Sequence, residues 1–146
     1  MPTRTARTAW TGTLMEGSGQ VELSSSKAGT FDVSFPKRTA DAADGTTSPE
    51  ELIGAAHSSC YAMQFSGLAA AAGGTPQNVE VTADVSLAPD PAGGLRITGI
   101  KLTVRGKVEG LDADAFVRVA EQAKATCPVS KALTGVDITV DAQLED

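Results

Sequence analysis

Two cysteines, Cys60 and Cys127, are the residues of this 146-residue chain best suited to covalent chemistry. Pro128 suits the first position of a helical turn. That places Cys127 at the cap, where free backbone N–H groups and the helix dipole stabilise a thiolate. Such a thiolate attacks a peroxide oxygen and becomes a sulfenic acid, and a second thiol condenses with it to a disulfide. One thiol in a buried helix and one at a helix start therefore suggest a peroxidatic and resolving pair. Plainer readings stand beside this one: a buried cysteine is often only a small hydrophobe, and Cys127 could simply cap its turn.

Peroxide chemistry needs a cation near the reacting sulfur, to lower its pKa and polarise the peroxide. Arg38 is the best-placed candidate, in a loop just before the helix that carries Cys60, although a solvated loop charge is the bland alternative. Glu50 is the natural carboxylate to orient it. Its neighbour Glu51 already has a structural role, lying three residues after Ser48 in a capping box in which Ser48 accepts from the Glu51 amide and Glu51 reaches back to Ser48. His57, three residues before Cys60, shares its helix face. A Cys–His hydrolase pair is conceivable, but without oxyanion donors His57 reads better as packing.

These residues must be positioned by one long helix. Ser48 caps it, Pro49 opens it, and Gly73-Gly74 with Pro76 stop it. The span is about 25 residues, or roughly 37 Å, against a radius of gyration of about 15 Å for a chain this size. Leu52, Ile53, Ala56, Cys60, Met63 and Gly67 form an apolar stripe, and alanines cover much of the remainder, so the helix is expected to be buried nearly all round.

Around it, Ala9–Thr13, Gly19–Leu23 and Thr30–Phe35 read as short strands, with Pro36–Thr46 a polar loop. Val79 to Leu87 alternate, Pro89–Gly94 make a hairpin turn, and a parity change near Thr98-Gly99 predicts a β-bulge at the glycine. Asp112 or Asp114 caps a helix that turns Phe116, Val119, Ala120 and Ala123 inward. A helical turn Pro128–Leu133 and a strand through Ile138, Val140, Ala142 and Leu144 follow. Strands and helices are segregated, which predicts an α+β fold with mostly antiparallel sheet in a single domain over residues 1–146. The net charge of −6 argues against nucleic acid or anionic membrane as partners. The polar start of the chain lacks the apolar core of a signal peptide, so a cytoplasmic location is expected, where two cysteines favour thiol chemistry over a structural staple. One histidine, no zinc spacing and no phosphate loop predict no metal and no cofactor.

The segments Ser48-Pro49-Glu50-Glu51-Leu52-Ile53-Gly54-Ala55-Ala56-His57-Ser58-Ser59-Cys60 and Cys127-Pro128-Val129-Ser130-Lys131-Ala132-Leu133 resemble the two signature segments of the OsmC/Ohr family, and of its OsmC branch in particular. Ala83-Asp84-Val85-Ser86-Leu87 and Trp10 match as well. The resemblance implies an intertwined α+β homodimer around a long central helix, reducing organic hydroperoxides with peroxidatic Cys60 and resolving Cys127. A dithiol or lipoylated protein would serve as reductant. It carries the arginine over to Arg38, or to Arg4 or Arg7 by analogy with the Ohr branch. Met63, Ile53 and Phe35 are expected to form an apolar substrate pocket. The alternative is a non-catalytic dimer that binds an apolar ligand or senses redox state.

Ten helical residues separate Glu50 from Cys60, about 15 Å along an axis and about 80° around it. A glutamate cannot bridge that distance. Glu50 and Arg38 are therefore expected to serve the cysteine of the opposite chain across a two-fold interface.

Overall fold

The computed structural model describes all 146 residues, as two compact units, Met1–Leu52 and Ile53–Asp146. The first is an antiparallel meander of β1 (Arg7–Thr11), β2 (Ser18–Glu22) and β3 (Thr30–Val33). Gly12, at φ +93°, ends β1 two residues before the Thr13 expected from sequence. The tight turn after it leaves no side-chain space at Gly17, where a Cβ would lie 2.3 Å from the Thr13 carbonyl oxygen. The third strand also stops early. Ser34 caps a one-turn helix, α1 (Phe35–Arg38), accepting from the Lys37 amide at 3.3 Å, and Pro36 sits in its first turn where no amide donor is needed. Phe35 is thus helical rather than the last strand residue, and part of the expected polar loop is ordered. The rest of that segment is pinned by a Lys37–Asp44 ion pair and by the Thr47 amide donating to the Asp32 carbonyl at 3.0 Å.

The long helix, α2 (Pro49–Ala71), starts in this unit and continues into the second. In the second unit β4 (Thr75–Pro89) and β5 (Leu95–Glu109) form a long hairpin, closed by Asp90–Gly94 with Gly93 and Gly94 at positive φ. The register slips between Ser86 and Leu87, leaving Thr98 as the extra residue of a bulge, one position before the glycine expected from the change of parity, because Gly99 itself pairs with Ser86. Next come α3 (Ala113–Thr126), α4 (Pro128–Ala132) and β6 (Asp137–Leu144). Pairing is mostly antiparallel, as the sequence predicts, and β6 alone runs parallel to its neighbour, β5. A parallel neighbour needs a crossover, which α3 and α4 supply. No helix is long and apolar enough to cross a membrane.

Central strand β5 buries Ile100, Leu102, Val104 and Val108, and α3 buries Phe116, Val119, Ala120 and Ala123, as their spacings predict. The long helix turns differently from expectation. Its buried stripe is Gly54, His57, Tyr61, Phe65 and Ala69, while Ala56 and Gly67 are exposed and Met63 is 73% exposed. Bulk decides this: Tyr61 and Phe65 carry the most apolar area on the helix, and burying them rotates the small residues outward. Gly54 permits the close approach to β4, since a Cβ there would lie 3.0 Å from the Ala83 carbonyl oxygen. The Phe65 ring meets that of Phe116 at 4.8 Å between centroids, and Tyr61 donates to the Ala120 carbonyl at 2.6 Å.

Two substitutions separate packing from hydrogen bonding here. Phe65→Ala should cost about 3–5 kcal/mol of unfolding free energy. Tyr61→Phe should cost only about 1 kcal/mol, because the Ala120 carbonyl keeps its partner within α3. Urea titrations of the two variants against the parent chain check both values.

Candidate active site

Helix α2 presents Cys60, half-buried, and the junction of α3 and α4 presents Cys127, fully buried. The Cys127 amide closes α3 on the Ala123 carbonyl at 2.8 Å, and its carbonyl opens α4 by accepting from Lys131 at 3.0 Å. Pro128 forces the break between the two helices. Across the gap, Gln64 of α2 donates to the Thr126 hydroxyl at 3.0 Å, tying α2 to the end of α3 beside the cysteine. The two sulfurs lie 3.2 Å apart, both as free thiols.

Burial pushes the Cys60 thiol up, the Val129 amide draws it down, and the neighbouring Cys127 raises it again, leaving it above its ordinary value. Burial would raise Cys127 too. There, however, the Ser130 amide, the Cys60 S–H, the Ser130 hydroxyl and the Val129 amide together outweigh it and hold the thiol below its ordinary value. The two thiols titrate as a pair, and the polar groups gathered around Cys127 favour its ionisation over that of Cys60. Because α4 has five residues and its cap makes no conventional side-chain hydrogen bond, this is the work of individual nearby donors rather than of a long helix dipole.

In the first unit, Arg38 and Glu50 meet. Arg38 Nε donates to both Glu50 oxygens, at 3.2 and 3.1 Å, and Nη2 donates to Oε1 at 2.6 Å. Glu50 is 7% exposed. Burial alone would raise its carboxyl, but the Arg38 guanidinium and the Glu50 backbone amide together more than offset this and hold it below the usual range. The same contact, working against burial, raises the Arg38 pKa. The other candidate arginines are placed elsewhere: Arg7 lies 3.6 Å from Glu22 and Arg4 bonds only the Thr3 carbonyl. Half of the expected capping box is present. Ser48 accepts from the Glu51 amide at 3.1 Å, but the Glu51 carboxylate accepts from the Thr47 hydroxyl at 2.5 Å instead of reaching back to the Ser48 amide. Arg38 also lines a cavity of about 400 Å³ with Trp10, Leu14, Val21, Val33 and Phe35. Of the three expected pocket residues, Phe35 lines this cavity, while Ile53 and Met63 lie outside its lining.

Sequence reasoning gave Ser130 no role, and read His57 only as a Cys–His candidate or as packing. His57 is fully buried, with Nε2 2.7 Å from the Ser130 hydroxyl and facing that group rather than Cys60. Each sits three residues from a cysteine, on the helical turn that shares its face. That spacing was the available signal.

The Glu50 shift gives a pH test. A carboxyl depressed in the folded chain contributes stability above its unfolded value, about 4.3, and loses it as the pH falls through the folded value. The stability difference between the parent chain and Glu50→Gln should therefore stay constant at neutral and mildly acidic pH. It should shrink once the pH drops below the ordinary carboxylate range, as read from urea titrations across that range.

Residues 42–141 match the family model described as OsmC-like protein. The chain is 40% identical to Peroxiredoxin OsmC of Escherichia coli (strain K12) over 136 residues, covering 93% of this chain and 92% of that one. It is 32% identical to the organic hydroperoxide resistance protein OhrA of Bacillus subtilis (strain 168), over 82% and 84% of the two chains. Its fold superposes on the crystal structure of an organic hydroperoxide resistance protein from Elizabethkingia anophelis with a TM-score of 0.76 at 25% identity, covering 100% of this chain and 97% of that one. With both signature segments in the sequence, two sulfurs in contact and the family model spanning most of the chain, this protein belongs to the OsmC-like family.

Proposed function

We propose that the chain is a thiol-dependent peroxidase that reduces organic hydroperoxides. The observation that carries this reading is the pair of free sulfurs 3.2 Å apart, supported by the names of the relatives, a peroxiredoxin and a hydroperoxide resistance protein. A proton passes from Cys60 to Cys127, and the Cys60 thiolate attacks the terminal oxygen of the hydroperoxide. An S–O bond forms and the O–O bond breaks. The alkoxide leaves as the alcohol after taking a proton from water, and Cys60, oxidised by two electrons, is a sulfenic acid. Cys127 then attacks the Cys60 sulfur. The S–S bond forms, the S–O bond breaks, and hydroxide leaves with the Cys127 proton as water. A dithiol or lipoylated-protein reductant restores both thiols by exchange, in a reducing cytoplasm.

Arg38, oriented by Glu50, supplies the cation for the peroxide; its Nη1 hydrogens are left free by that pairing. Phe35, Ile53 and Met63 supply the apolar wall for the alkyl group. The working unit is a homodimer that buries the exposed small face of α2, and Arg38 and Glu50 serve the Cys60 of the opposite chain.

One equivalent of cumene hydroperoxide should consume two thiols per chain and yield a Cys60–Cys127 linkage on peptide mapping. Cys60→Ser should lower turnover with a dithiol by at least roughly a thousandfold; retained activity would sink the assignment. Cys127→Ser should keep the first oxidation but lose turnover, with sulfinic acid accumulating on Cys60. An inert Cys60 in the parent chain would favour a non-catalytic binder of apolar ligands, whose site would be the cavity beside Phe35.

Sharing across the interface has its own test. Cys60→Ser and Glu50→Ala chains, each inactive alone, should regain activity after subunit exchange, because a mixed dimer holds one complete site. No recovery despite proven exchange would place Glu50 with its own chain's cysteine or outside the mechanism.

A further inference from the structure

His57 and Ser130 take no part in the scheme above, yet they touch it. His57 is fully buried on α2 and Ser130 is 4% exposed in the first turn of α4. Their side chains meet at 2.7 Å. The second ring nitrogen, Nδ1, is buried with no partner. Burial pushes the His57 pKa down, so the imidazole is neutral and carries one N–H. Placed on Nδ1, that hydrogen would be a donor stranded in an apolar interior. Placed on Nε2, it donates to the Ser130 hydroxyl and leaves only a bare lone pair at Nδ1, the less costly of the two orphans. The Ser130 oxygen then accepts from His57, which leaves its own hydrogen for Cys127, three residues earlier at the cap of the same helical turn; this hydroxyl is among the groups that hold the Cys127 thiol down. Two contacts of a row are in place, imidazole to hydroxyl at 2.7 Å and Cys127 to Cys60 at 3.2 Å, with Ser130 and Cys127 on one turn of α4 between them.

We propose that His57 is a positioning residue for the cysteine pair: it fixes the Ser130 hydroxyl as a donor toward the Cys127 sulfur, and this row holds one negative charge on the two sulfurs. Its use rests on the peroxidase reading, but its readout does not. The titratable groups acting on the row are Cys60 and Tyr61 of α2, with Glu121 of α3 acting on Tyr61. None of them is altered in the test.

The ultraviolet thiolate absorbance of the reduced, full-length chain is titrated for the parent, Ser130→Ala, His57→Leu and His57→Gln. Ser130→Ala and His57→Leu should each raise the midpoint of the first thiolate by about one pH unit, the loss of one hydrogen bond to a charged group, and slow alkylation by iodoacetamide at neutral pH by about tenfold. His57→Gln returns an N–H near the Nε2 position and should recover at least half of the shift, which simple repacking would not do. An unchanged midpoint in folded Ser130→Ala overturns the proposal, as does a His57→Gln variant no better than His57→Leu. If His57→Leu does not fold, Ser130→Ala decides alone. Shifted midpoints in a chain that consumes no hydroperoxide would overturn the peroxidase reading and leave the row standing. Normal peroxide consumption with unmoved midpoints would do the reverse.

Discussion

The burial of Tyr61 and Phe65 sets the orientation of everything on the long helix. Side chains four apart on an α-helix lie nearly in line, so once these two rings face β5 and α3 the azimuth of every other residue follows. His57 is carried inward with them and Cys60 is turned to the side, toward the junction of α3 and α4. The Tyr61 hydroxyl locks this choice from the other direction by bonding the Ala120 carbonyl, one turn before Ala123, which receives the Cys127 amide. Aromatic packing, a single hydroxyl and the end of α3 thus share one mechanical path, and the sulfur–sulfur contact lies at its end.

Much of this was legible in the sequence where a pattern had only one physical solution. The inward face of α3 has a clear helical period, and the Asp112 cap is confirmed by its bond from the Ala115 amide at 2.7 Å. The bulge was visible to within one residue because a change of parity in a strand has few other causes. The orientation of α2 was not legible. Its alanines make every face moderately apolar, so hydrophobic periodicity alone gives no preferred side, and ring size settles the matter. The direction of β6 was also hidden, since an alternating strand reads the same whether it pairs parallel or antiparallel. The chemistry-bearing types were easy to find, and spacing sets His57 and Ser130 each beside a cysteine, but their contact with one another joins positions 73 apart, which no local pattern shows.

The Arg38–Glu50 pair illustrates a different constraint. A carboxylate this buried is costly unless its oxygens are satisfied. Glu50 meets the requirement through a fork of guanidinium donors that a lysine could not reproduce. Neither group is needed for the helix to start, because Ser48 and Pro49 already provide for that. The pair therefore fixes the direction of a charge at the edge of an apolar cavity.

The parallel pairing of β5 with β6 bears on the order in which the molecule is assembled. The β4–β5 hairpin is local in sequence and can close early, whereas Gly99 must find Asp137 and Gly106 must find Leu144 across the whole α3–α4 crossover. Non-local pairings of this kind come late, after the loop-closure entropy has been met. The junction that carries Cys127 belongs to that crossover. The two cysteines, 67 positions apart in the chain, meet only through long-range packing, so the thiol pair is a property of the assembled fold rather than of any local segment.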